Sequence, residues 1–123
     1  MQQWIPGNAD NFTTLSFVHA FLNSFAHVRL FNSVEGWGLH LLGSDRPIAA
    51  LDARQLGARL PEAATRDLLE WYPGSTAEDV FAALLNREHE TNRVAQDARR
   101  VPALRDDRPY NEYYVLRRWR AGN

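Results

Sequence analysis

Cysteine is absent from the 123 residues. That removes disulfides, thiol nucleophiles and thiolate metal sites together. A cysteine-free chain fits a reducing compartment, and the expectation is a cytoplasmic protein. An excess of one charge is missing too. The 14 Lys plus Arg nearly balance the 15 Asp plus Glu, for a net charge of −1. Nothing in that balance offers a polybasic field, so neither nucleic acid nor an anionic membrane surface is expected as a partner. Arginine outnumbers lysine, most visibly in the tail, which is a local matter. No apolar run reaches the roughly 18 residues that a membrane-spanning helix requires. Met1-Gln2-Gln3-Trp4-Ile5-Pro6 has no basic start and no long apolar stretch, so it does not read as a signal peptide. Glycine patterns that cradle phosphate are lacking as well. The sequence holds no G-x-G-x-x-G, no Walker loop and no G-x-S-x-G elbow.

What remains is one domain's worth of chain at most, with 45% hydrophobic residues to build a modest core. The stretch Gly36-Trp37-Gly38-Leu39-His40-Leu41-Leu42-Gly43-Ser44 reads as a strand buried on both faces. Trp37, Leu39 and Leu41 alternate with His40 and Leu42 across it. Val28 to Phe31 forms a shorter apolar run, and turn-forming residues including Asn32, Ser33 and Gly36 connect the two. Residues 28–32 and 37–43 are therefore expected to pair as an antiparallel hairpin, with Trp37 mostly buried. Upstream, residues 2–6 resemble the end of a strand. Asn8 or Asp10 can cap a helix running to about Phe25, on which Leu15, Val18, Leu22 and Phe25 share a face. Phe12, Phe17 and Phe21 fall outside that face, so the helix calls for burial on more than one side.

Downstream the pattern is helical. Asp52 and Gln55 have capping-box spacing, and Leu56 and Leu60 lie one turn apart. Pro61 can open a helix carrying Leu68, Leu69 and Trp71 to the stop at Pro73-Gly74. Ser75 and Glu78 suggest another capping box, ahead of an apolar face of Val80, Phe81, Leu84 and Leu85. Residues 86–105 are polar and read as helix fading into an exposed linker. The division expected is a sheet segment over 1–50, helical cover over 51–105, and a turn with an extended tail over 106–123.

Candidates for chemistry are few. Of the four histidines, no two have the i, i+4 spacing of a helical metal pair. His89-Glu90-Thr91-Asn92-Arg93 begins like a zinc-protease signature but ends in Arg, so no metal is expected. His19 reads as a packed or solvated histidine rather than a base. Asp106-Asp107 is a paired carboxylate, better explained as a turn that caps backbone N–H groups and pairs with Arg108. Glu112 with Arg117 or Arg118 reads as surface pairing. Trp37, between two glycines, either lines a pocket or fills the core. Gln3 lies at the carboxyl end of a strand, where open α/β sheets bind ligands. No residue is assigned a catalytic role.

Four pieces resemble the C-terminal part of a polyamine aminopropyltransferase of the spermidine synthase family. Gln3-Trp4-Ile5-Pro6 is similar to the Q-W-L-P that ends a central strand in bacterial spermidine synthase-like proteins. Phe21-Leu22-Asn23-Ser24-Phe25-Ala26-His27-Val28 resembles F-x-x-x-F-P-H-V, with Ala26 where proline is usual. Gly36 to Ser44 resembles the W-G-x-x-L-x-G-S hairpin strand. Asp106-Asp107-Arg108-Pro109-Tyr110-Asn111-Glu112-Tyr113 resembles D-D-R-P-x-x-E-Y. The resemblance implies an α/β fold, the C-terminal portion of a methyltransferase-like Rossmann sheet followed by helices. It implies aminopropyl transfer from decarboxylated S-adenosylmethionine to a polyamine, with Gln3 and Trp37 near the acceptor amine. The family's Gly-rich cosubstrate loop and catalytic aspartates have no counterpart in this sequence, so no cofactor is expected within the segment. Asn32-Ser33-Val34-Glu35 stands where classical members carry Tyr-Pro-Ser-Gly before the Trp. The implied partners are a small polyamine and either a second copy or an N-terminal half. The rival readings are a methyltransferase-like segment acting on another acceptor and a non-catalytic interaction domain.

Overall fold

The first helix begins where its cap dictates. Asp10 stays extended, and its carboxylate accepts from the Thr13 N–H at 2.7 Å and the Thr13 hydroxyl at 3.0 Å. Helix α1 then runs over Asn11–Ser24, and it stops because Phe25 turns extended (φ −132°). This is a computed structural model, and it describes residues 1–6, 10–33, 35–105 and Trp119. Asn8, the paired Asp106-Asp107 and the Glu112, Arg117 and Arg118 group lie outside the described residues. So does the tail over 106–123 apart from Trp119, which is helical and exposed.

Three strands form one antiparallel sheet: β1 (Gln2–Pro6), β2 (His27–Asn32) and β3 (Gly38–Ser44), in the order β1-β3-β2. The hairpin expected from the two apolar runs is present, with Leu30 opposite Leu41 and Phe31 opposite His40. On its other side β3 pairs with β1, placing Gln3 opposite Leu41 and Trp4 opposite His40. In the connection, the Ser33 hydroxyl accepts from the Gly38 N–H at 2.9 Å, and the Ser33 N–H donates to the Gly38 carbonyl at 2.9 Å. Gly36 adopts φ +72°, a conformation that costs glycine nothing.

The core lies between the sheet and α1. Ile5, Val18, Leu30 and Leu41 are each at most 3% exposed, and burying each such side chain is worth about 1.5–3 kcal/mol. Phe21 is buried with them, and Phe17 and Leu22 pack around the edge. The phenylalanines outside the Leu15/Val18/Leu22/Phe25 face are therefore covered or half-covered, not left in water.

Four shorter helices follow: α2 (Ala53–Arg59), α3 (Glu62–Glu70), α4 (Ala77–Leu85) and α5 (Thr91–Ala98). The Asp52–Gln55 capping box forms in full. The next box differs from the expected one by a single residue: Thr76 and Asp79 make it, not Ser75 and Glu78. Pro61 occupies the cap position of α3 rather than its first turn. Helices α2 and α4 pack together, and α4 lies against β2 on the sheet face opposite α1.

Two expectations are corrected. Residues 86–105, read as helix fading into an exposed linker, do carry a helix, but it is packed and not exposed throughout. They hold α5, which packs on α1 and buries Ala95 and Ala98. Alanines let the helices approach closely yet add little to an apolar periodicity, so the helix is faint in the sequence. Trp37 is not buried: it is 71% exposed. The strand starts at Gly38, so Trp37 belongs to the turn and lies outside the ladder.

Gly43 marks the tightest contact between sheet and helix. A Cβ there would lie 2.5 Å from Phe25 Cδ2 and 2.6 Å from Phe21 Cε1. Those two rings pack against each other, centroids 4.8 Å apart. Gly43→Ala should therefore destabilise the fold by about 1–3 kcal/mol through overpacking. Urea denaturation followed by circular dichroism measures it; an unchanged midpoint would mean the rings yield freely.

Candidate functional site

Two hollows flank the turn of the hairpin. The first opens at the carboxyl end of β1, where Ile5 and Pro6 meet the first turns of α1. Its volume is about 620 Å³. The start of α5 supplies its polar wall, with Glu90, Arg93 and Asp97, and Glu88 and His89 complete it. Of its three carboxylates, Glu88 is paired with Arg29 and Asp97 with Arg100 at 3.3 Å, which leaves Glu90 without an ion pair among the described residues. The placement follows from how the chain after α4 attaches to the sheet. The Asn32 N–H donates to the Arg87 carbonyl at 3.1 Å, and the His89 N–H donates to the Leu30 carbonyl at 2.8 Å. Arg29 clamps the same segment through two hydrogen bonds to the Glu88 carboxylate, each 2.7 Å. The hydrogen bond to Glu88 raises the Arg29 guanidinium above its ordinary pKa, against a smaller opposing effect of burial. The guanidinium also sits 4.9 Å from the centre of the Phe31 ring, a cation–π contact.

The second hollow lies between the hairpin turn and the α3–α4 pair, with a volume of about 670 Å³. Its walls are apolar and aromatic, among them Trp37, Trp71, Tyr72 and Phe81. His40 also borders it, and Gln2 Nε2 lies 3.2 Å from His40 Nδ1. With the amide donating, Nδ1 is the acceptor and the ring proton stays on Nε2.

The two residues expected near an acceptor amine are not brought together. Gln3 is exposed, its amide donates to the Trp4 carbonyl at 3.2 Å, and it borders neither hollow. It is paired with Leu41, four residues along the chain from Trp37, roughly 13 Å of strand rise. Trp37 borders the apolar hollow alone of the pair. His19 is packed: its Nδ1–H donates to the Val101 carbonyl at 2.7 Å, tying the chain beyond α5 to α1.

No family model, curated protein or solved structure matches the chain. The residues must therefore speak for themselves. Among the described residues, no group of His, Asp and Glu is arranged to hold a metal ion, and no helix is long and apolar enough to cross a membrane. The first hollow offers a cation the Glu90 carboxylate at a strand end, beside two carboxylates that arginines already pair. The second can bury an apolar body against aromatic faces. Sequence reasoning missed Glu88 and Asp97, and met Glu90 only within a zinc-protease-like run, because it read the segment as helix fading into an exposed linker. The i, i+4 pair Val94 and Ala98 was the available signal.

The wall of the apolar hollow depends on how α4 begins. The Thr76 hydroxyl and N–H both donate to the Asp79 carboxylate, at 2.7 and 2.8 Å. They hold that carboxyl below its ordinary pKa of 3.8. A depressed carboxyl stabilises the fold above its unfolded pKa and loses that contribution as pH falls through the folded value. Asp79→Ala should accordingly be less stable than the parent at pH 6, with the gap closing below about pH 3.8. Urea midpoints of both proteins between pH 2.5 and pH 6 give the comparison. A gap of constant size would show that the cap carries no charge-dependent stability.

Proposed function

We propose that this chain is the acceptor-amine side of a spermidine synthase-like fold, the C-terminal portion of a methyltransferase-like Rossmann sheet. The observation that carries the reading is the hollow at the carboxyl end of β1, where Glu90 has no ion pair among the described residues and Glu88 and Asp97 stand beside it. Open α/β sheets take their ligands at strand carboxyl ends, and a protonated polyamine seeks carboxylates. The sheet order supports it. With β3 between β1 and β2, the outer edge of β1 has no partner among the described residues, and there a parallel sheet would continue. In the reaction, an unprotonated amine attacks the carbon beside the sulfonium of decarboxylated S-adenosylmethionine. A C–N bond forms, the C–S bond breaks, sulfur leaves as a thioether, and a carboxylate takes the proton. The cosubstrate loop and that carboxylate are not in this sequence, so the chain contributes binding and not turnover.

Putrescine titrated into the purified chain by calorimetry at low salt should bind weakly. The double variant Glu90→Gln/Asp97→Asn should bind about fivefold more weakly, as follows from about 0.5 kcal/mol per exposed charge contact. Addition of decarboxylated S-adenosylmethionine should give no spermidine above blank. Binding unaffected by the substitutions would remove the amine from this hollow, and clear turnover would overturn the assignment of the chain as a non-catalytic side.

A second reading, an interaction domain, is favoured by the edges of the sheet. Residues 87–91 cover the outer edge of β2, through the Arg87 and His89 backbone and the Thr91 hydroxyl, which donates to the Val28 carbonyl at 3.3 Å. No described residue does the same for β1, and an uncovered edge is a template for strand addition by a second copy. Light scattering over a concentration series should show association. A monomer at about 100 µM with a cooperative melt would exclude this reading.

A further inference from the structure

The apolar hollow has a chemistry that the amine reading does not use. Trp37 is 71% exposed and Trp71 81% exposed, and both border this one hollow. Large aromatics left in water forgo the burial that would stabilise them. They come from distant points of the chain, one from the hairpin turn and one from the end of α3, yet meet at a single concavity. Leu68, Val80 and Leu84 form its apolar walls. The charges are one-sided. Glu35 is the one carboxylate on the wall, no described Lys or Arg lines it, and Glu35 makes no ion pair among the described residues. Arg87 reaches the rim only to donate to the Ser33 carbonyl at 3.1 Å, outside the lining.

We propose that this hollow binds a small organic cation with an apolar body, an aryl- or alkylammonium ion. Indole faces attract a cation through the ring quadrupole. Glu35 supplies the counter-charge, and the apolar walls take the rest of the molecule. A neutral apolar ligand would leave the carboxylate and the quadrupoles unused. A hydrophilic diamine would place its second ammonium against leucine and valine, where nothing replaces its lost water. The assignment is independent of the amine site at β1, since the two hollows share no charged residue.

The test compares 2-phenylethylammonium chloride with 2-phenylethanol, which has the same body and no charge. Tryptophan fluorescence and calorimetry report binding to the full chain. The ammonium ion should bind about tenfold tighter than the alcohol, as expected for one cation–π contact beside a carboxylate. Glu35→Gln should reduce that preference, and Trp71→Phe should weaken binding of the ammonium ion and remove most of the fluorescence change. Both side chains are exposed, so these substitutions leave the core untouched, and circular dichroism verifies that. Equal affinity for ion and alcohol, a preference undiminished by Glu35→Gln, putrescine displacing 2-phenylethylammonium at equal concentration, or no saturable binding would each overturn the proposal. The about fivefold weaker putrescine binding of Glu90→Gln/Asp97→Asn, with 2-phenylethylammonium binding intact, distinguishes this site from the one at β1.

Discussion

Strand β3 is hydrogen-bonded on both of its edges, and everything else in the molecule is placed relative to that double pairing. Leu41 sits between Gln3 on one neighbour and Leu30 on the other. Its side chain is 1% exposed, inside the cluster formed with Ile5, Val18 and Leu30. Register in such a strand cannot slip by one residue, because Leu41 would then exchange faces with His40. The register in turn sets Gly43 beneath the Phe21–Phe25 pair, so close that a side chain at that position is excluded. The helix and the hairpin are thus fixed by the same few residues.

The helical half is joined to the sheet at a different place and by different forces. Backbone hydrogen bonds from 87–89 extend the ladder past β2, and the Arg29–Glu88 pair closes over the join. With side-chain exposures of 21% and 33%, the pair is shielded enough to exceed an open surface bridge, and its two parallel hydrogen bonds fix its geometry. The same join creates the hollow at the end of β1, because it carries Glu88 and Glu90 to the strand end. Structure and candidate chemistry share one cause there.

Local signals in the sequence were reliable wherever a single side chain decides the backbone. Asp10 and Asp52 cap the helices they precede, and the paired apolar runs at 28–32 and 37–43 form the hairpin. Signals failed where tertiary contact decides. Helix α5 packs on α1 and buries Ala95 and Ala98, and side chains that small announce an apolar period only faintly. The box at Thr76 and Asp79 lies one residue from Ser75 and Glu78 because both pairs have the right spacing, and local pattern alone does not choose between them. Of the candidate site, Gln3 and Trp37 were legible as unusual residues, but their separation was not. Alternation places Trp37 on a strand face only if the strand includes it.

The strand excludes Trp37 for a reason that also explains the residues around it. Gly38 lies beneath the Trp4 indole, and a Cβ at that position would collide with the Ile5 carbonyl and with Trp4 Nε1. The close approach lets β1 pair down to Pro6 opposite Gly38. Immediately before it, Gly36 bends the backbone through φ +72°. Between a glycine that must be flat against β1 and a glycine that must turn, the intervening side chain has no place on either sheet face. Trp37 is displaced outward, toward α3 and α4, where Trp71 stands. The packing of Trp4 over Gly38 and the exposure of Trp37 are therefore one arrangement. A residue with a side chain at position 38 would disturb the edge strand and the aromatic hollow together, although the two lie on different elements.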